Sequence, residues 1–252
     1  MNPPIVCTIG MTDPWNAAGV GLDVRALAEC GARAVSIVAG VSAQDARGVH
    51  HVHAVPAESI EAQFDALAAA PLAAYRIGAL PNAEAIRAIA ARLAGMRVPV
   101  VYDPVLCASA GGKFLDDAGV SAVVMNLLPR TSIVMPNLRE ASILAGVPPI
   151  ADAAAMGEAA RALVRLGAAA ALVTGGHLEG DPVDVLFDGE LHHFESARLN
   201  AAMRGTGCLL ADALAAALAR GIALSKAVEE ARTYVRRKLQ RAIEVGGMRV
   251  AD

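Results

Sequence analysis

Neither sign of charge dominates this sequence: 22 Lys and Arg face 25 Asp and Glu, a formal net charge of −3 at pH 7 over 252 residues. Such balance gives no reason to expect a nucleic-acid or anionic-membrane partner, and a small metabolite fits better. Aromatic residues are scarce, at 3%, although hydrophobic residues reach 55%. The apolar content is therefore mostly alanine, valine and leucine, which suits packed helices and buried strands. No uncharged apolar run is long enough to span a bilayer. The opening MNPPIVCTIG has neither the basic segment nor the apolar stretch of a secretory signal, so a cytoplasmic location is expected. Cys7, Cys30, Cys107 and Cys208 lack C-x-x-C spacing. That argues against a zinc site and a disulfide framework and leaves reduced thiols. His50, His51 and His53 cluster without a matching Cys or carboxylate pattern, so a surface strand or loop is expected there in place of a metal site.

What is present is alternation. Short β-rich runs (IVCTIGM, AVSIVAG, AAYRIGAL, VVYDPVL, SIVMPN, AALVTGG) are separated by helical patterns over 17–31, 57–70, 82–95, 117–128, 138–146 and 151–167. Strands and helices at these intervals imply parallel β-α-β crossovers and a sheet buried on both faces. In the last helix, Val228, Ala231, Val235 and Leu239 form a core stripe by their spacing. Arg236, Arg237, Lys238 and Arg241 there read as a solvated face. DVLFDGELHHF, with Asp188-Gly189 at its centre, is expected to be an antiparallel hairpin at one sheet edge. No repeat, low-complexity tract or linker divides the chain, so residues 1–252 are expected to form one domain.

In open α/β sheets ligands gather outside the carboxyl ends of the strands. The residues there include Asp13, Gly19, Gln44, Ala79, Asp103, Cys107, Asn137 and Glu140, and the stretch MRGTGCLLADALAAALARG closes the set. The chain has no G-x-x-x-x-G-K-[ST] loop, and Gly19-Val20-Gly21 lacks the third glycine of a dinucleotide fingerprint. Gly205-Thr206-Gly207-Cys208 offers another kind of phosphate site. Its glycines admit close backbone approach, and free N–H groups at a helix start would hold a transferring phosphoryl group. A thiol there is expected to have a lowered pKa and to accept a proton from an attacking alcohol. Helix capping with a buried cysteine is the competing reading.

The ordered series TIGMTDPWNAAGVGLDVRALAECGA, VSAQDARGV, RIGAL, VVYDPV, MPNLREA, TGGHL and GTGC resembles the hydroxymethylpyrimidine and phosphomethylpyrimidine kinases of thiamin synthesis, members of the ribokinase-like superfamily. The resemblance covers nearly the whole chain and implies an α/β, three-layer fold with a mainly parallel central sheet between helices. It implies that Gln44 hydrogen-bonds the aminopyrimidine, with Ala18, Asp23, Ala79 and Cys107 on the substrate side. An amide suits that partner because it donates and accepts at once. It also implies that Asp103, Asn137 and Glu140 organise magnesium, that Thr174 and Gly176 border ATP, and that Cys208 is the base at an anion hole formed by Gly205, Thr206 and Gly207. Arg204 either neutralises a phosphate of ATP or forms a structural ion pair. ATP and Mg2+ are the implied cofactors, with K+ as a further candidate cation, and the implied assembly is a homodimer.

The chain departs from that family at specific places. The usual Ser-Gly-Gly-Ala-Gly of the first loop is Trp15-Asn16-Ala17-Ala18-Gly19, and a usual methionine is Ala79. Loss of two glycines is expected to stiffen the loop, and Trp15 is expected to fill part of the space vacated at Ala79. The usual Lys-Ser-Gly is Ser109-Ala110-Gly111, and the usual lysine of Lys-Gly-Gly-His is Thr174, which removes charge near phosphates. Lys113 is a candidate replacement. A usual histidine is Arg204, and the tail EVGGMRVAD is shorter than usual. Alternatives to a pyrimidine kinase are a related thiazole or pyridoxal kinase and a pyrimidine-binding protein without phosphoryl transfer.

Overall fold

The computed structural model describes residues 2–107 and 112–252. The chain runs β1 (Ile5–Thr12), α1 (Gly19–Glu29), β2 (Arg33–Asp45), β3 (Gly48–Ala54), α2 (Ala57–Ala66), β4 (Leu72–Ile77), α3 (Ala83–Leu93), β5 (Val100–Tyr102) and α4 (Asp117–Ala122). It continues through β6 (Ile133–Val134), α5 (Leu138–Ala145), α6 (Ala153–Arg165), β7 (Ala171–Val173), β8 (Val183–Phe187), β9 (Leu191–Glu195), α7 (Thr206–Ala219), α8 (Leu224–Gln240), β10 (Ile243–Val245) and β11 (Met248–Val250).

Nine strands form one sheet in the order β3-β2-β1-β4-β5-β6-β7-β8-β9. The six central strands, β2 to β7 in that order, pair in parallel, and each outer hairpin strand pairs antiparallel. The alternation of side chains along each strand feeds two cores, one per face. On β1, Cys7 and Ile9 enter a core with α2 to α6, whereas Val6 enters a second core with α1, α7 and α8. The result is the three-layer architecture, with a mainly parallel sheet between helices.

Parallel pairing places the carboxyl ends of β1, β2, β4, β5, β6 and β7 along one edge, where the polar residues of the sequence collect. Local chemistry sets the helix starts. Asn82, Asp116 and Asp152 each accept a backbone N–H from the first turn of the helix that follows. The hairpin β8–β9 lies at the sheet edge as expected, turning through Gly189 at φ 113°.

Three parts differ from the sequence expectation. Strand β2 extends to Asp45 and returns as β3, a second edge hairpin carrying His50, His51 and His53. The helix expected over 117–128 is α-helical only to Ala122, then widens into a π turn over Val123–Leu127 and tightens over Leu128–Arg130. The tail forms the hairpin β10–β11.

Ile77, fully buried at the end of β4, packs into the core beneath α2 and α3. Ile77→Ala is expected to lower stability by about 2–5 kcal/mol through lost contacts and a residual cavity. Urea unfolding of wild type and variant measures the difference.

Candidate active site

The floor of the site is a buried ion cluster, of which only Asp103 keeps any surface open to the cavity. Arg76, on β4, is 0% exposed. Its Nη1 lies 3.1 Å from Asp23 Oδ2 on α1, its Nε 3.1 Å from Asp212 Oδ1 on α7, and its Nη2 3.5 Å from Asp103 Oδ2 beyond β5. Thr8 on β1 donates its hydroxyl to Asp23 Oδ2 at 2.6 Å. Burial alone would lower the guanidinium pKa, but Asp23, Asp212, Cys208 and Asp103 outweigh it and hold the charge. Burial raises both Asp23 and Asp212, and the charge of Asp23 raises Asp212 further, while Arg76 pulls both back down. The guanidinium rests on Gly78, where a Cβ would stand 2.0 Å from Nη1.

Above this floor opens a cavity of about 190 Å³. Ala18, Gln44, Ala79 and Cys107 line one part of it, Asp103, Asn137 and Glu140 another, and Arg204 to Cys208 a third. A second cavity, of about 430 Å³, lies against α8 and the segment after β9. The two share Thr174, His177, Thr206, Gly207 and Leu210 in their walls. The start of α7 is therefore a partition between two compartments.

Glycine at 205 is dictated by geometry. It caps α7 at φ 82°, and a Cβ there would stand 2.4 Å from the Ala17 carbonyl oxygen. No side chain caps the first turn of α7, so its leading N–H groups are open to an anion. Gly207 faces Asp103, whose Oδ2 would be 3.5 Å from a Cβ at that position. The Cys208 thiol departs from expectation. Burial pushes it up to about 12, Arg76 opposes this, and Asp103, Asp23 and Asp212 add to it.

Asn137 and Glu140 form a capping box at α5: Asn137 Oδ1 accepts from the Glu140 N–H at 3.0 Å, and Glu140 Oε2 accepts from the Asn137 N–H at 3.0 Å. Capping explains Asn137, but Glu140 is buried, not solvated. Burial, then the charge of Asp103, raises Glu140 to about 8. Burial raises Asp103 to about 6, against the pull of Arg76. Two such carboxyls facing one cavity with an amide beside them form a hard oxygen donor set of the kind that suits hydrated magnesium. Among the described residues no group of three His, Cys, Asp or Glu could hold a metal ion. An ion here would rest on two carboxylates together with water and phosphate oxygens.

Several expected residues stand elsewhere. Asp23 is wholly buried in the ion cluster and is absent from the walls of both cavities, because its carboxylate is taken by Arg76 and Thr8. Arg204 lines the first cavity and not the second, and its guanidinium is bonded to Gln44 and Asp45. Thr174 borders both cavities and Gly176 only the second. Trp15 is 45% exposed and lies against Gly246 of the tail hairpin, so it does not fill the space at Ala79. Lys113 is exposed, with its backbone bridged to Cys107. The Ser109-Ala110-Gly111 departure lies outside the described residues.

The sequence reading missed other wall residues. Asp13 is no ligand candidate: its carboxylate accepts N–H groups of Trp15, Ala17 and Ala18, each at 3.1 Å, and so shapes the first loop. Arg232, Val235, Arg236 and Leu239 of α8 line the second cavity together with Arg198, so Val235 serves both the second core and the cleft, and Leu239 and one of the arginines expected to be solvated are wall. Helical spacing cannot tell a core-facing residue from a cleft-facing one, which is why the signal was ambiguous.

The family model of phosphomethylpyrimidine kinase matches residues 13–251. The hydroxymethylpyrimidine/phosphomethylpyrimidine kinase of Streptomyces coelicolor is 35% identical over 250 residues, covering 98% of this chain and 93% of that one. Among solved structures, the ADP complex of Bacillus subtilis pyridoxal kinase superposes with a TM-score of 0.92 at 25% identity, over 99% of this chain and 97% of that one. The Clostridium difficile phosphomethylpyrimidine kinase does so with a TM-score of 0.82 at 26% identity, over 93% and 98%.

The two raised carboxyls set a pH dependence. A carboxyl whose folded pKa exceeds its unfolded value takes up a proton on folding, so stability is greatest below the unfolded value and falls as pH rises toward the folded one. With Asp103 near 6 and Glu140 near 8, the unliganded protein is expected to lose stability steadily from about pH 4 to pH 8. Glu140→Gln keeps an acceptor for the capping box but not the titration, and should flatten the upper half of that slope. Melting temperatures of both proteins across this range check it.

Proposed function

The chain belongs to the phosphomethylpyrimidine kinase family, and we propose that it transfers the γ-phosphoryl group of ATP to 4-amino-5-hydroxymethyl-2-methylpyrimidine, to its monophosphate, or to both, in thiamin biosynthesis. The observation that carries this reading is the partition: one helix N-terminus borders a small cavity and a larger one at once. A phosphoryl group moving from donor to acceptor needs such a shared wall of N–H groups.

The first cavity takes the pyrimidine against Ala18, Gln44, Ala79 and Cys107, and the second takes ATP along Thr174 and Gly176. Arg198, Arg232 and Arg236 supply positive charge in that second wall, where the lysine at the Thr174 position is missing. Each now spends its donors on the protein: Arg236 on the Ala197 carbonyl at 2.8 Å, Arg232 on Asp184 at 3.2 Å, and Arg198 on the carbonyls of Gly176 and Leu178. Asp103, Asn137 and Glu140 would hold magnesium, whose chemistry is to neutralise charge on the nucleotide phosphates. Potassium is a further candidate cation.

The hydroxymethyl oxygen, or a phosphate oxygen where the monophosphate is the acceptor, attacks the γ-phosphorus in line, its new bond forming as the bond to ADP breaks. The Gly205 to Cys208 backbone stabilises the charge on the transferring group. Cys208 accepts the hydroxyl proton. With its pKa raised by burial, the thiolate is a strong base held at low population near neutrality. A homodimer, implied by the resemblance, and a cytoplasmic location and a single domain over residues 1–252, both read from the sequence, belong to the same proposal; among the described residues no helix is long and apolar enough to cross a membrane.

Mass-spectrometric detection of products tests the reading, with Mg-ATP and either hydroxymethylpyrimidine or its monophosphate, and pyridoxal as control. Product from a pyrimidine substrate and none from pyridoxal is expected. Cys208→Ala should cut kcat by about 10²–10⁴-fold while pyrimidine binding persists. Wild-type kcat should climb with pH through the neutral and alkaline range. A plateau beginning below neutrality, or full turnover by the variant, would remove Cys208 from the role of base.

A further inference from the structure

We propose that Arg204 is a positioning residue that fixes the polarity of the pyrimidine pocket, so that the wall at Gln44 demands a hydrogen-bond acceptor, an unprotonated ring nitrogen, from its ligand. The inference rests on the pyrimidine reading above and concerns a position where this chain departs from its family.

Gln44 sits at an irregularity of β2, where the register against β3 shifts between Ala43 and Gln44. Such a bulge re-aims a side chain, and Gln44 lines the first cavity while remaining only 8% exposed. Left free, an amide can present either its oxygen or its nitrogen. Here one neighbour removes the choice. A guanidinium carries donors only, so the atom of Gln44 that meets Arg204 Nη2 is the carbonyl Oε1. The amide nitrogen, which makes no hydrogen bond among the described residues, is left for the cavity.

Arg204 is itself held. Its Nη1 donates to the Asp45 carbonyl at 2.9 Å and lies 3.2 Å from Met248 Sδ. Its backbone N–H donates to the Arg249 carbonyl at 2.9 Å. The side chain thus bridges the quartet, the end of β2 and the tail hairpin. No carboxylate pairs with it among the described residues, so its positive charge at the cavity wall also disfavours a protonated heterocycle. The same wall accepts a neutral ring nitrogen and rejects both a C–H and an N–H⁺ at that place.

The test is calorimetric binding of hydroxymethylpyrimidine and of its two aminopyridine analogues, each with one ring nitrogen replaced by C–H, to wild type, Arg204→Ala and Arg204→Lys, together with steady-state kinetics. Wild type should bind one analogue about 10- to 100-fold more weakly than the pyrimidine. In Arg204→Ala that penalty should shrink to about threefold or less, because the freed amide can turn, and the change should be read in the Kd and KM of the pyrimidine. Arg204→Lys, which keeps the charge but cannot bond Gln44 and Asp45 in one fork, should fall between, and it decides the matter if Arg204→Ala does not fold. An unchanged penalty in the folded variants overturns the role of Arg204. So does a raised KM for ATP at constant penalty, which would make it a phosphate ligand. Wild type that binds none of the three compounds overturns the pyrimidine reading itself.

Discussion

The rest of the structure depends on the burial of one cation. Arg76 brings together β4, α1, α7 and the end of β5 by contacting Asp23, Asp212 and Asp103, and its charge offsets the repulsion among them. Taking these charges out of water is costly, and removing one partner from such a cluster leaves an uncompensated charge worth about 3–5 kcal/mol. The contacts to Asp23 and Asp212 lie within salt-bridge distance but are not aligned as hydrogen bonds, so their hold is chiefly Coulombic. A packed apolar floor would be at least as stable. What the ions supply is placement: Asp103 is held facing Gly207 across the cavity, and α7 is pinned in its second turn, through Asp212.

That floor also explains the behaviour of Cys208. From the sequence its pKa is expected to be lowered, because a helix N-terminus favours a thiolate. In the folded chain the thiol is buried beside three carboxyls and a single guanidinium, and burial wins. Only the proximity of Arg76 limits the rise. Burial, with help from neighbouring carboxylates, raises Asp103 and Glu140 too, so the unliganded site gathers more carboxylate around Arg76 than that one guanidinium can satisfy. Added positive charge from a metal would relieve all of these groups together.

The fold was legible where the signal is local. Strand and helix alternation gave the parallel sheet, and Asp188-Gly189 gave the edge hairpin. The β2–β3 return was not visible, because VSAQDARGV has neither a two-residue turn signature nor clean alternation, and its pairing depends on β1 beside it. The quartet, Gln44, Asp103 and the Asn137–Glu140 pair came to one cavity as strand-end positions should. Asp23 and the α8 arginines could not be placed, because both depend on long-range partners: Asp23 on Arg76, 53 positions away, and Arg232 on Asp184, 48 away.

Three of the departures from the family, in the first loop, at Arg204 and in the tail, are spatially linked. Asn16, in place of a glycine, takes φ 49°, a left-handed conformation that asparagine tolerates better than other residues. The loop turn therefore survives the substitution, with Asp13 holding its backbone. Trp15 is carried outward to the tail hairpin at Gly246, and that hairpin holds Arg204 through Arg249 and Met248. Arg204 in turn bonds Gln44. A changed first loop, a changed residue before the quartet and a changed tail thus form one chain of contacts around the cavity mouth. These three replacements are neighbours of one another, so this part of the rim is coupled through contacts that the sequence separates widely.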